Sequence, residues 1–172
     1  FACSNGHLDC VKVLLNNTSV DKERLREDGS NALFWSVESG EVLMYLFKEQ
    51  QIPVIEDSMG QSILDRAVAK HSIQGVNFAL NQCKIDPNRL NEKFGISPLS
   101  LALFNSNIDI VKCLLSRGAD LVLKENVPPL SMAAAFSNVE IWDFLEELEA
   151  FKKISKEDFS YIGWKTLARW DE

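Results

Sequence analysis

Ser97-Pro98-Leu99-Ser100-Leu101-Ala102, followed after a polar break by Asp109-Ile110-Val111-Lys112-Cys113-Leu114-Leu115-Ser116-Arg117-Gly118-Ala119-Asp120, carries the pattern that decides the fold. It reads as a short helix opening on proline, a turn, and a longer helix that ends at a glycine. The pattern recurs along the chain. Asn31-Ala32-Leu33, Ser62-Ile63-Leu64 and Pro128-Pro129-Leu130 stand in register with Ser97-Pro98-Leu99, which spaces the four leucines 31, 35 and 31 residues apart. Gly29, Gly60 and Gly95 lie four residues before the first three leucines; the fourth copy is the weakest, with Val127 one place late instead of a glycine. Three positions behind each leucine is a small residue, Ser36, Ala67, Ala102 or Ala133, that lets two helices approach closely. A second apolar run follows each: Val42-Leu43 to Leu46-Phe47, Val76 to Leu80, Ile110-Val111 to Leu114-Leu115, and Ile141-Trp142 to Leu145. A repeat of this period means stacked units, each too small to bury its own helices alone.

Both ends of the sequence fall inside such a unit. Asn5-Gly6-His7-Leu8-Asp9-Cys10-Val11-Lys12-Val13-Leu14-Leu15 has the turn and second helix without the opening turn, so Phe1 is read as a fragment boundary. At the other end Gly163-Trp164-Lys165-Thr166-Leu167 repeats the Gly-to-Leu spacing, and Gly163 lies 68 residues after Gly95. That tail either opens a fifth turn and helix cut off at Glu172 or caps the array as an amphipathic helix.

The unit at 97–120 and the stretch Asn5–Leu15 resemble ankyrin repeats, and the resemblance extends over nearly the whole chain, most weakly in the third and last units. It implies an all-α, ankyrin-type helix-turn-helix solenoid with short β-turn or hairpin connections. The units are then 1–23 (partial), 24–55, 56–91 (divergent), 92–124, 125–157, and 158–172 (partial repeat or capping helix). This chain departs from the family in two ways. The histidine that usually follows the leucine is replaced by Phe34, Asp65, Ser100 and Ser131, which removes its bond to the neighbouring loop. The second copy also lacks about two residues at its helix turn, placed by the alignment between Gly40 and Glu41. The repeat leucines are expected in the core, with Leu→Ala costing about 2–5 kcal/mol where burial is full.

Composition narrows the function. Of 172 residues, 46% are hydrophobic, enough for a real core, and the formal charge of −7 disfavours nucleic acid and anionic membrane, which need clustered Lys and Arg. No apolar run is long enough to span a bilayer, and no basic start leads into an apolar stretch as in a signal peptide. A cytoplasmic, intracellular location is expected. The four cysteines, Cys3, Cys10, Cys83 and Cys113, are read as reduced and mostly buried thiols rather than a disulfide framework.

Chemistry is sparse. Cys3, His7 and Cys10 have ligand-like spacing, but the repeat register puts His7 at a turn, points both cysteines inward, and leaves a structural zinc site one ligand short. The two histidines, His7 and His71, sit at equivalent turns with no nucleophile beside them in sequence, and the glycines are scattered singly rather than gathered in a phosphate loop. Glu140, Asp143, Glu146, Glu147 and Glu149 read as the solvated face of a helix. Neither enzyme activity, nor a metal, nor a cofactor is expected.

In the family these residues resemble, partners lie on a concave side made of turn tips and first helices. By register the exposed first-helix positions are Trp35, Arg66, Leu101 and Met132, with a second row at Glu38-Ser39, Ala69-Lys70, Phe104-Asn105 and Ala135-Phe136. Trp35, Arg66, Leu101, Phe104, Met132 and Phe136 are the candidate contact residues. The apolar stripe Leu101, Phe104, Met132, Ala135 and Phe136, with Trp35 further along, suits the side chains of a peptide or a partner helix; coverage by the chain's own tail, or tolerance of such residues in short helices of the family, is the alternative. The tips Glu27-Asp28, Asp57-Ser58, Glu92-Lys93 and Lys124-Glu125 are of mixed sign. The expected function is therefore a protein-interaction scaffold or adaptor. The second reading is a regulatory or substrate-recruiting segment of a larger enzyme or channel, with other domains of the same polypeptide as partners.

Overall fold

The computed structural model describes residues 1–17, 19–123, 128–136, 139–152 and 154. The chain divides into two compact units, Phe1–Asp86 and Pro87–Glu172. In the first, α1 (Leu8–Asn16) is followed by a 3-10 helix (Phe34–Ser36), α2 (Gly40–Met44) running directly into a π-helix (Tyr45–Glu49), α3 (Ile63–Ala69) and α4 (Ile73–Asn81). The second holds α5 (Pro98–Phe104), α6 (Ile108–Ser116), α7 (Pro129–Phe136), α8 (Val139–Glu147) and α9 (Glu149–Lys152). No strand forms among the described residues, so the all-α reading stands. The proposed fifth repeat at Gly163–Trp170 and the tip Lys124-Glu125 lie outside the described residues.

Side-chain caps start α2 to α6. Ser62 accepts the Asp65 N–H while the Asp65 carboxylate accepts the Ser62 N–H, a reciprocal capping box. Ser72, Ser97 and Asn107 cap α4, α5 and α6 by each accepting one N–H, from Gly75, Ser100 and Ile110, and Pro98 occupies the first turn of α5, where its missing N–H costs nothing. The turn between the two helices is equally regular in three copies. His7, Ser72 and Asn107 each donate a backbone N–H five residues back, to Ala2, Ala67 and Ala102, and the residue before each is left-handed: Gly6, His71 and Ser106.

The second copy breaks this rule, and the structure corrects where. Ser39 is already the cap of α2, accepting the Val42 N–H, so the missing residues precede Ser39 rather than follow Gly40. The first helix shrinks to the single 3-10 turn Phe34–Ser36, and no left-handed residue intervenes between Ser36 and Ser39. A 3-10 turn gains length per residue, and the π-helix widens the following helix.

Turn tips connect the copies. Arg26–Gly29 and Asp57–Gly60 are β-turns closed at 2.9 Å, each ending in a left-handed glycine, whereas Asn91–Gly95 is one residue longer. In the first unit Ser58 donates its N–H to the Asp28 carbonyl at 2.7 Å, tying one tip to the next. The residues at the histidine position turn back to their own caps: Asp65 accepts from the Ser62 hydroxyl and Ser100 pairs with Ser97. Other side chains make the links between loops. Ser72 donates to the Val37 carbonyl, Asn31 to the Pro53 carbonyl, and in the second unit Asn88 bridges the Gly118 carbonyl and the Asp120 N–H.

Leu33, Leu64, Leu99 and Leu130 are all buried, as are Ser36, Ala67, Ala102 and Ala133. Close approach is tightest at Gly75 in α4, where a Cβ would come within 2.8 Å of Ala67 and 2.7 Å of the Val37 carbonyl. One relationship appears in both units: Lys12 lies over the Tyr45 ring at 5.6 Å, and Lys112, at the same register of α6, lies over Phe144 at 5.1 Å. The carboxylates of Glu140, Asp143, Glu146, Glu147 and Glu149 are exposed.

The cysteines correct the sequence reading. Cys10 is exposed and Cys3, Cys83 and Cys113 are only partly buried. Gly75, at the register of Cys10, packs on Val37 of the preceding copy, and Cys10 has no such copy before it among the described residues.

Candidate functional site

Trp35, Arg66, Leu101 and Met132 occupy one register position, two residues beyond the repeat leucine, and all four are half-buried. A first helix packs its leucine and small residue inward, which leaves this position partly covered and partly open. In the second unit Phe104, one turn on from Leu101, is exposed, and α5 packs against α7, which carries Met132. The Phe136 side chain lies outside the described residues.

The first unit holds the more elaborate arrangement. The Trp35 indole N–H donates to the Ser30 hydroxyl at 2.6 Å, and that hydroxyl donates in turn to the Asp28 carboxylate, which also accepts the Ser30 N–H. Arg26 pairs with Asp28 at 3.7 Å and lies over the Trp35 ring at 4.8 Å from its centroid, closing a ring of four side chains. The two hydrogen bonds from Ser30 hold the Asp28 carboxyl below the usual range, with Arg26 adding to the effect. Arg66 approaches the same indole at 4.0 Å and the Phe34 ring at 5.6 Å. Burial pushes its guanidinium down, and Glu38, Asp28 and Asp57 act in the opposite direction.

Beside Trp35 opens a groove of about 460 Å³ whose walls include Phe1, Arg24, Arg26, Asn31 and Ala32. Phe1, Arg24 and Arg26 did not figure among the sequence candidates. The turn bonds give a signal for Phe1: it accepts the Asn5 N–H, as Arg66 accepts from Lys70 and Leu101 from Asn105, so it shares their register. The two arginines lie before the tip, where the repeat pattern assigns no role. Among the described residues no group of three or more His, Cys, Asp or Glu could hold a metal ion, and none of their helices is long and apolar enough to cross a membrane.

The family model for ankyrin repeats (3 copies) matches residues 1–91 and 64–156. The chain belongs to the ankyrin repeat family, whose members are generally protein-interaction modules and typically not enzymes. An ankyrin repeat protein of Rickettsia felis is 32% identical over 122 residues, covering 70% of this chain and 40% of that protein. A second, from Fowlpox virus, is 30% identical over 141 residues, covering 80% of this chain and 32% of that protein. The chain therefore spans less than half the length of these relatives.

Proposed function

We propose that the chain is a non-enzymatic interaction module that holds a protein or peptide partner on the turn tips and first helices of its copies. Trp35 and Arg66 in the first unit, and Leu101, Phe104, Met132 and Phe136 in the second, make the contacts. The observation that carries this reading is the shared half-buried register of Trp35, Arg66, Leu101 and Met132. A repeating frame sets these side chains at regular places while their identity varies, which is how solenoids combine rigidity with specificity. The Ser30–Trp35 bond fixes one large aromatic in advance, so less ordering entropy is lost on binding.

Peptides selected against the immobilised chain from a displayed library provide the test. Trp35→Ser, Phe104→Ser and Met132→Ser, combined in one variant, should weaken their binding about tenfold or more, with circular dichroism unchanged. Undiminished binding by the folded variant overturns the proposal.

A further inference from the structure

We infer that the groove beside Trp35 takes an acidic peptide segment, with its carboxylates on Arg24 and Arg26 and a neighbouring apolar side chain against Ala32, Phe1 and Trp35. The inference rests on the interaction reading above and adds the chemistry of the ligand to it.

The groove carries unmet hydrogen-bonding capacity. Asn31 is committed at both ends, donating to the Pro53 carbonyl and accepting the Phe34 N–H. Ser4 donates to the Phe1 carbonyl. Burial raises the pKa of Cys3 and keeps that thiol neutral. What remains are the two guanidiniums. Among the described residues Arg24 is exposed and its side chain makes no hydrogen bond or ion pair, and the Arg26 side chain is held by the 3.7 Å contact to Asp28 and by the Trp35 ring. No carboxylate lines the groove. Asp28 partly offsets Arg26, so on a chain of net charge −7 Arg24 is the exposed cation that an acidic ligand would meet at this groove. Guanidinium forks bind carboxylates in a bidentate fashion with charge-assisted bonds. The groove volume of about 460 Å³ leaves room for apolar contact beside the charges.

The test uses the whole chain and short fluorescein-labelled peptides with two glutamates flanking a leucine, together with glutamine and lysine counterparts, read by anisotropy. The glutamate peptide should bind most tightly and weaken with salt. Arg24→Glu with Arg26→Glu should lower its affinity about tenfold or more, and Arg24→Gln with Arg26→Gln should lower it less; both variants alter exposed side chains, and circular dichroism checks the fold. Equal binding of the glutamate and glutamine peptides overturns the inference, as does charge reversal without effect. Displacement of the peptide by inorganic phosphate at equal concentration also overturns it, since the groove is then a phosphate site. A leucine-rich neutral peptide, read against Phe104→Ser with Met132→Ser, reports on the wider reading. If its variant-sensitive binding persists while the glutamate peptide fails, only the groove is lost; failure of both removes both.

Discussion

The Arg66 guanidinium carbon lies 4.0 Å from the centroid of the Trp35 indole, and the Arg66 Nε is buried without a hydrogen-bond partner among the described residues. The aromatic face joins the charges of Glu38, Asp28 and Asp57 in compensating a partly desolvated cation. Arg66→Ala is expected to lower stability by about 0.5–2 kcal/mol in urea denaturation, and Arg66→Lys by less. Combining Arg66→Ala with Trp35→Ala should cost less than the sum of the two single changes, because each removes the same contact; strict additivity would show that the stacking contributes nothing.

Leu64 and Leu99 are fully covered repeat leucines, one in each unit. Leu64→Ala and Leu99→Ala should each destabilise by about 2–5 kcal/mol, measured as a lowered denaturation midpoint. A loss below about 1 kcal/mol at either site would contradict the burial described here.

Two glycines should respond to alanine for different reasons. At Gly75 the new methyl group meets the Val37 carbonyl and Ala67, so Gly75→Ala should cost about 1–3 kcal/mol from overpacking, despite alanine's better helix propensity. At Gly118 nothing lies within 4 Å of the added carbon, and the cost of Gly118→Ala, about 1–2 kcal/mol, comes from its left-handed backbone alone. Gln51 and Lys84 hold the same left-handed conformation at the ends of their helices. Gln51→Gly and Lys84→Gly should therefore raise the melting temperature.

Burial pushes the Cys83 thiol up to about 11 from an ordinary 9.0. The folded chain binds this proton more tightly than the unfolded chain does. Its contribution to stability is complete below pH ~9 and is lost as pH rises through about 11. Alkylation by iodoacetamide at mildly alkaline pH, followed by mass spectrometry, should modify the exposed Cys10 first and Cys83 last. Modification of Cys83 ahead of Cys10 would refute this order.

The repeat leucines and the small residues behind them were legible in the sequence because burial by neighbouring copies demands them at a fixed period. The common register of Trp35, Arg66, Leu101 and Met132 followed from the same alignment, but their half-burial did not: the register reads them as exposed, and neighbouring side chains cover part of each. What the alignment missed depends on neighbours. Cys3 and Cys10 stand at positions that pack against a preceding copy elsewhere, and the described residues hold no copy on that side of them. Placing the shortening in the second copy needed to show which serine caps α2, since Ser36 and Ser39 read alike in one dimension. Arg24 and Arg26 precede a tip and follow no period, so only the folded groove brings them beside Trp35.

A chain whose core closes on itself passes a lost residue on to every later contact. In this array the second copy is short, yet Leu64, in the next copy, is still fully enclosed. The shortfall is absorbed between Leu33 and Ser39, because each copy has to meet only the copies beside it. Length is thus a local variable in this architecture. A lineage can trim or pad one copy and leave the others standing, so a binding face can be revised piece by piece through insertion and deletion as well as by substitution.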